Sequence, residues 1–256
     1  MRVVIKVGTS TLTYGNGNLN IRGIENLCKV IADLKNSGIE VVLVSSGAIG
    51  MGVGKLGLKQ KPTDIPTKQA AAAVGQCELM YVYDKIFSEY NHTVAQLLMT
   101  GDDFSHADRY ENFKNTLNRL IELGVLPVVN ENDTVATSEI KVGDNDTLSA
   151  MTAVGAGADL LILMSDIDGL YTADPKTDKN AVLISEVANI DSKIKDLAGG
   201  SSSELGTGGM VTKIHAAEIC NEKGIDMIIT NGADPNVLYD IFADKKVGTR
   251  FIGKAK

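Results

Sequence analysis

The feature of this sequence that most constrains its fold is the alternation of short apolar runs with longer segments of helical periodicity. Runs of four or five apolar residues predict buried strands, and apolar residues three and four apart predict amphipathic helices. The predicted strands cover residues 3–7, 41–44, 94–98, 125–129, 160–164 and 227–230. The predicted helices lie between them, at about residues 24–34, 65–90, 113–121, 148–157 and 209–223.

Several of these strands are apolar on both faces, as in a parallel sheet that is covered by helices on each side. We therefore predict a three-layer α/β/α sandwich with a mainly parallel central sheet. The chain of 256 residues has only 5 prolines and no Pro- or Ser-rich linker, which predicts a single domain over residues 1–256. In such sheets ligands bind beyond the carboxyl ends of the strands, so those loops are the candidate sites.

Charge and composition argue against several classes of function. The formal net charge is -7, without a Lys/Arg cluster, so we do not expect nucleic-acid binding. No apolar run is long enough to span a membrane and the N-terminus does not resemble a signal peptide, so we expect a cytoplasmic protein without membrane contacts. The three cysteines are widely spaced and are interpreted as reduced packing residues, and no zinc motif is present.

Lys6, Gly8 and the segment from Ser45 to Gly50 are the first candidates for a ligand site. A lysine in a buried strand needs an anionic partner, unless the strand lies at an edge and the side chain reaches solvent. Glycine and serine after a strand expose backbone N–H groups that can bind an anion, or they form a plain tight turn. Residues 52–57 match G-x-G-x-x-G, but they begin too far after the strand for a dinucleotide fingerprint.

Two Asn/Asp-rich segments offer the groups that an amino acid would need. They are Asn-Glu-Asn-Asp at 130–133 and Gly-Asp-Asn-Asp at 143–146, which opens a helix. Carboxylates can accept from an ammonium group and amides can donate to a carboxylate. Turn formation and helix capping are alternative explanations, as is a calcium site, although the spacing does not fit an EF-hand.

A glycine-rich turn leads into the last predicted helix and is typical of a phosphate site. Residues 206–213 read Gly-Thr-Gly-Gly-Met-Val-Thr-Lys. A helix N-terminus presents free N–H groups and the positive end of the helix dipole, and Lys213 in the first turn can reach the same phosphates. A flexible loop before an ordinary helix is the alternative. Ser165 and Asp166 also follow a strand, but such residues are common in turns.

Taken together, these segments resemble the amino-acid kinase family. The resemblance is carried in order by VIKVGTSTLT, VVLVSSGAIGMG, PVVNENDTVAT, IKVGDNDTLSA, GLYTADP and GTGGMVTKIHAAEI, which span nearly the whole chain. It implies the fold of that family and transfer of the ATP γ-phosphoryl group to the γ-carboxylate of L-glutamate, giving L-glutamyl 5-phosphate, the first step of proline biosynthesis. Aspartate, N-acetylglutamate or a nucleoside monophosphate as acceptor, or a non-catalytic amino-acid sensor, are alternatives.

The resemblance also implies roles for individual residues. Lys6 and Lys213 are expected at the transferred phosphoryl group, with Asp146 as the carboxylate that holds both lysines. The expected glutamate site consists of Ser46, Gly47, Asn130, Asp133, Asp144 and Asn145. The expected ATP site consists of Lys6, Gly8, Ser165, Asp166, Thr207, Gly208, Gly209, Met210, Val211, Thr212 and Lys213. Mg²⁺ is expected to arrive with ATP, and no separate metal ligands are predicted.

Finally, the resemblance bears on regulation and assembly. Many relatives of this kind carry a further C-terminal PUA domain, which we do not expect here because the chain ends soon after its last predicted strand. Proline is a possible feedback inhibitor, and a homodimer or homotetramer is implied by resemblance alone.

Overall fold

The apolar runs form one sheet in the computed structural model, which describes residues 1–15, 18–136, 145–199 and 209–254. The strands are β1 (Arg2–Val7), β2 (Glu40–Val44), β3 (Val94–Met99), β4 (Leu126–Glu131), β5 (Leu160–Ser165), β6 (Glu186–Val187), β7 (Asp226–Asn231) and β8 (Thr249–Phe251). Among the described residues these eight strands have the order β3-β4-β2-β1-β5-β7-β8-β6. All neighbours pair in parallel except β7 and β8.

Helices connect the strands and cover the sheet. They are α1 (Thr9–Leu12), α2 (Ile21–Asn36), α3 (Ala48–Lys55), α4 (Ile65–Ser88), α5 (Gly101–Ser105), α6 (Ala107–Glu122), α7 (Asn145–Ala156), α8 (Ser192–Gly199), α9 (Met210–Glu222) and α10 (Val237–Phe242). No helix in these described ranges is long and apolar enough to cross a bilayer. The short elements α1, α3, α5, α8, α10, β6 and β8 were not predicted.

Alternate residues of the central strands belong to two separate apolar cores. Val4 packs in a core with residues of α6, α7 and α9. Val3 and Ile5 pack in the other core, with residues of α2, α4 and α10. Because successive side chains of a strand point to opposite faces, this division places a helical layer on each side of the sheet. The predicted three-layer α/β/α sandwich with a mainly parallel sheet is confirmed; the single domain over 1–256 stays a prediction.

One detail of the sequence interpretation changes. The fourth strand ends at Glu131 rather than at 129, because Asn130 and Glu131 still pair with Leu98 and Met99 of β3. Asn130 is therefore fixed by a strand instead of lying in a loop. The polar segment after β5 folds back on itself, and Tyr171 forms an isolated antiparallel bridge with Leu183.

The glycine-rich sequence at 52–57 is explained by helix packing. A Cβ atom on Gly52 would lie 1.8 Å from the carbonyl oxygen of Ala71, and one on Gly75 would lie 1.8 Å from that of Ala48. The backbones of α3 and α4 therefore touch at these glycines. Their contact fixes the start of α3, which follows the carboxyl end of β2 and its Ser45–Gly47 turn.

Replacing Gly52 by alanine tests this close contact. We expect Gly52→Ala to lower the free energy of unfolding by about 1–3 kcal/mol, because the clash with backbone atoms outweighs the better helix propensity of alanine. Equilibrium denaturant unfolding measures the difference. Gly50→Ala in the same helix is the control, since its Cβ would meet its nearest neighbour, Thr13 Oγ1, at an ordinary 3.5 Å. Equal stability of the two variants would contradict the packing argument.

Candidate active site

Lys6, Asp146 and Lys213 meet at the carboxyl edge of the sheet. Lys6 Nζ lies 2.8 Å from Asp146 Oδ1, and Lys213 Nζ lies 2.9 Å from Asp146 Oδ2. Lys6 is near the end of central strand β1, whereas Asp146 and Lys213 lie in the first turns of α7 and α9. Residues that are more than 200 positions apart in the chain are thus joined by one carboxylate.

The three charges are almost completely buried. Lys6 is 8% exposed, Lys213 3% and Asp146 0%. Strand β1 lies between β2 and β5, so the alternative of an edge-strand lysine that reaches solvent is wrong. Buried ions are costly unless paired, and two ammonium groups around one carboxylate leave a formal charge of +1 among these three side chains. The arrangement is therefore suited to attract a further anion.

The first turn of α9 supports this cluster. The Thr212 hydroxyl lies 3.1 Å from Asp146 Oδ2 and 2.7 Å from the carbonyl oxygen of Gly209. Gly209 caps the helix without a side-chain hydrogen bond, so the first N–H groups, including those of Met210 and Val211, lack a side-chain cap. Such a terminus can bind phosphate oxygens. The predicted residues Thr207 and Gly208 lie outside the described residues.

A polar network joins the end of β2, the end of β4 and the start of α7. Asn145 Nδ2 lies 2.8 Å from the carbonyl oxygen of Ser45, 2.7 Å from Ser46 Oγ and 3.1 Å from Asn130 Oδ1. Gly47 has φ +88°, a left-handed conformation that glycine adopts without strain, and it caps α3. Four of the residues predicted for an amino-acid site are thereby brought together. Asp144 lies outside the described residues.

Asp133 is a half-buried carboxylate just beyond β4. Burial raises the pKa of this carboxyl group above its ordinary value. Within the described part of the chain its side chain makes neither a hydrogen bond nor an ion pair. A cationic ligand group would offset the cost of its desolvated charge.

The remaining predicted residues follow β1 and β5. Gly8 comes directly after β1, and Ser165 and Asp166 are at the end of β5, which pairs with β1 on the side away from β2. Ser165 ends β5, its carbonyl oxygen accepts from Gly232 N at 2.7 Å, and its hydroxyl donates to Asp166 Oδ1 at 3.1 Å. A Cβ atom on Gly8 would meet Met164 O at 3.6 Å, an ordinary contact. The described residues therefore leave room for a Cβ atom at Gly8.

Sequence reasoning missed one buried partner of the site. Gln76 Oε1, on α4, accepts from Asn130 Nδ2 at 2.8 Å, although no motif pointed to it. A glutamine on the buried face of an otherwise apolar helix was the available signal.

The interpretation of the cysteines holds for two of the three. Cys28 and Cys220 are buried, and burial raises the pKa of Cys220 to about 12, whereas Cys77 is exposed and is not a packing residue.

Comparisons with known proteins identify a family and relatives for this chain. The model of the amino acid kinase family matches residues 1–231. The chain is 54% identical over 255 residues to the glutamate 5-kinase of Clostridium acetobutylicum, covering 100% of this chain and 96% of the relative. It is 51% identical over 257 residues to the glutamate 5-kinase of Clostridium perfringens, covering 99% and 96%.

A solved structure shares the fold at low sequence identity. Carbamate kinase from Giardia lamblia bound to AMP-PNP superposes with a TM-score of 0.71 at 16% identity, over 99% of this chain and 98% of that one. At this identity the likeness shows the architecture alone.

The charge cluster makes a prediction about stability. Asp146→Leu is expected to lower the free energy of unfolding by about 3–5 kcal/mol, because two buried ammonium groups lose their shared partner. Denaturant unfolding measures the change. The triple variant Lys6→Met, Asp146→Leu, Lys213→Met is the control: it removes all three charges and should recover most of the loss. A triple variant as unstable as the single one would contradict this electrostatic account.

Proposed function

The chain belongs to the amino acid kinase family, and we propose that it is an ATP-dependent kinase for the γ-carboxylate of L-glutamate. The product is L-glutamyl 5-phosphate, which would make the reaction the first step of proline biosynthesis. The name glutamate 5-kinase that its relatives carry supports this acceptor. The observation that carries the proposal is the buried pair of lysines on one carboxylate, with the polar network of Ser46, Asn130 and Asn145 at neighbouring strand ends and the Gly209-capped start of α9 beside Lys213.

Phosphoryl transfer between these two substrates requires little proton chemistry. A γ-carboxylate oxygen of glutamate forms a bond to the γ-phosphorus of ATP, and the bond from that phosphorus to the β,γ-bridging oxygen breaks. ADP leaves with the electron pair. The acceptor is already ionised at neutral pH, so no general base is needed. The main task of the protein is to hold two anions together and to stabilise the charge between them.

Lys6 and Lys213 are proposed to contact the transferred phosphoryl group. Their ammonium groups converge from β1 and α9, and Asp146 holds both in place through its two oxygens. Because the lysines are fixed before substrate binds, little reorganisation is needed when charge develops in the transition state. Thr212 braces the carboxylate from the same turn as Lys213.

The glutamate site is proposed to lie at the ends of β2 and β4. Ser46, Gly47, Asn130 and Asn145 supply hydroxyl, backbone and amide groups, with Asp144 added from the sequence. Asp133 is proposed to bind the α-ammonium group of glutamate, because its half-buried carboxylate has a raised pKa and a cation would stabilise its charged form. An intact ammonium favours a free amino acid over an N-acylated one.

The ATP site is proposed on the other side of β1, formed by Gly8, Ser165, Asp166 and residues 207–213. The N–H groups at the start of α9 would hold phosphate oxygens. Magnesium would enter with ATP as part of the substrate. Within the described ranges no group of three or more His, Cys, Asp or Glu side chains is arranged to hold a metal ion.

Further properties are proposed from the sequence. A cytoplasmic location and the absence of nucleic-acid and membrane partners rest on charge, composition and the N-terminal segment. A homodimer or homotetramer and feedback inhibition by proline rest on the family resemblance alone.

The decisive experiment is ATP turnover by the purified protein with and without L-glutamate, with hydroxamate trapping of the acyl phosphate. L-Aspartate, N-acetyl-L-glutamate and UMP form the acceptor panel. We expect L-glutamate to give the highest kcat/KM. Preference for another acceptor would replace glutamate in the proposal, and ligand binding without ADP release would identify a sensor.

The same assay tests the lysines. Lys213→Ala is expected to lower kcat on the order of 10²-fold or more, as for loss of one preorganised charge-stabilising donor. Lys223→Ala, at the exposed opposite end of α9, is the matched control and should keep wild-type activity. A loss below tenfold in Lys213→Ala would remove Lys213 from the proposed mechanism.

Asp133 makes a prediction about pH. A proton and the substrate ammonium compete for its carboxylate, so KM for glutamate should rise as the pH falls through its raised pKa. Asp133→Asn should raise KM for glutamate about tenfold or more and abolish this pH dependence, because it removes a charge-assisted contact of about 1.5–3 kcal/mol. KM for ATP should stay within about threefold. Asp84→Asn, on an exposed position of α4, is the control, and an unchanged pH profile in Asp133→Asn would refute the assignment.

A further inference from the structure

We propose that Gln76 is a positioning residue for the acceptor site, acting through Asn130 on Asn145 and Ser46. The inference rests on the proposed function and names a residue that sequence motifs did not reveal. Gln76 lies on α4, behind the residues that would contact glutamate, and it touches Asn130 rather than the proposed substrate position.

Four side-chain amides form a continuous chain. Gln76 Nε2 donates to Gln96 Oε1 at 2.9 Å, and Gln76 Oε1 accepts from Asn130 Nδ2 at 2.8 Å. Asn130 Oδ1 in turn lies 3.1 Å from Asn145 Nδ2. Gln76 is 7% exposed and Asn130 1%, so water has little access to replace these bonds.

The chain has one direction, and Gln76 fixes it at Asn130. Asn130 Oδ1 also accepts from the backbone N–H of Glu131 at 2.9 Å. If the Asn130 amide were reversed, its NH₂ group would face two donors, Glu131 N–H and Asn145 Nδ2. If Gln76 lacked its oxygen, Asn130 Nδ2 would lose its acceptor in a buried position. Neither orientation of Asn130 is then satisfied.

The consequence reaches the acceptor site at Ser46. Because Asn145 Nδ2 lies 2.7 Å from Ser46 Oγ and acts as the donor, the hydroxyl hydrogen points elsewhere. In the described ranges the Ser46 hydroxyl donates to no acceptor, so it can donate to a substrate carboxylate. The Ser45 carbonyl oxygen, 2.8 Å from Asn145 Nδ2, holds the Asn145 amide in this direction, and the chain from Gln76 supports the same direction from the other side through Asn130.

The surroundings of Gln76 favour this role over packing. The buried positions of α4 are otherwise Ala71, Ala72, Gly75, Leu79, Tyr83 and Phe87. A methionine would fill such a position without a buried amide to satisfy. Gly75, the preceding residue, lets the backbones of α4 and α3 touch. This contact fixes the position of α4 and therefore of the Gln76 side-chain amide.

Gln76→Met tests the proposal, because methionine has a similar shape but does not accept as an amide oxygen does. We expect KM for glutamate to rise about tenfold or more, with KM for ATP and kcat within about threefold. Gln76→Glu should restore KM toward the wild-type value, since its carboxylate still accepts from Asn130 and exposed Gln96 can turn its NH₂ group toward the other oxygen. Gln60→Met, in the exposed segment between α3 and α4, is the matched control.

The outcomes separate this inference from the proposed function. If the wild type phosphorylates glutamate and Gln76→Met keeps its KM, or loses kcat and both KM values together, the positioning role is overturned and the function stands. If the wild type prefers another acceptor, the same ratio is measured with that acceptor. If Gln76→Met does not fold, Gln96→Leu decides, because it removes the acceptor of Gln76 Nε2. KM for glutamate should then rise about fivefold more than KM for ATP, and an equal change in the two KM values overturns the role. A wild type without kinase activity overturns both.

Discussion

The site depends on one buried carboxylate, Asp146, which holds two lysines that the chain brings from opposite ends. Each lysine alone would be costly to bury at the end of a sheet, and the shared counter-ion makes both tolerable. Counted over these three side chains, the cluster carries one more positive than negative charge. Stability and substrate attraction therefore have a common origin: the carboxylate that makes the two lysines tolerable in a buried position also holds them in place for an anionic ligand.

The parallel sheet explains why this site lies where it does. The strands β4, β2, β1, β5 and β7 end at one edge, so polar residues that follow apolar strands collect there. Position along the edge then divides the site: the ends of β4 and β2 carry the Asn/Asp network, and the end of β5 carries Ser165 and Asp166. Lys6 on β1 lies between these two parts. In the proposed reaction the phosphoryl group moves from the ATP side, at β5, to the acceptor side, at β2 and β4, and therefore passes Lys6.

Much of this could be predicted from the sequence because local patterns report local structure. Six strands and the layered fold follow from apolar periodicity, whereas the loops after strands indicate candidate positions for a site and the family resemblance supplies the roles proposed for them. Contacts between helices do not follow from these patterns, and Gln76 was missed because nothing in its neighbourhood shows that α4 faces Asn130. The G-x-G-x-x-G match at 52–57 likewise has no explanation in the sequence until the close approach of α3 and α4 at Gly52 is seen. The short strand β8 was missed for a different reason: its three residues are too few to show an apolar run or an alternation of apolar and polar residues.

The lysine cluster and the amide chain are stabilised by different interactions, and this difference decides which substitutions each of them tolerates. The lysine cluster is electrostatic, so charge matters more than the direction of any one bond. The amide chain from Gln96 to Asn145 is uncharged, and its value lies in orientation, because each buried amide has one correct direction. A kinase that must bring two anions together needs both: fixed charge to overcome their repulsion, and fixed donors to place the attacking oxygen. The sheet edge supplies the first and helix α4, packed behind it, supplies the second.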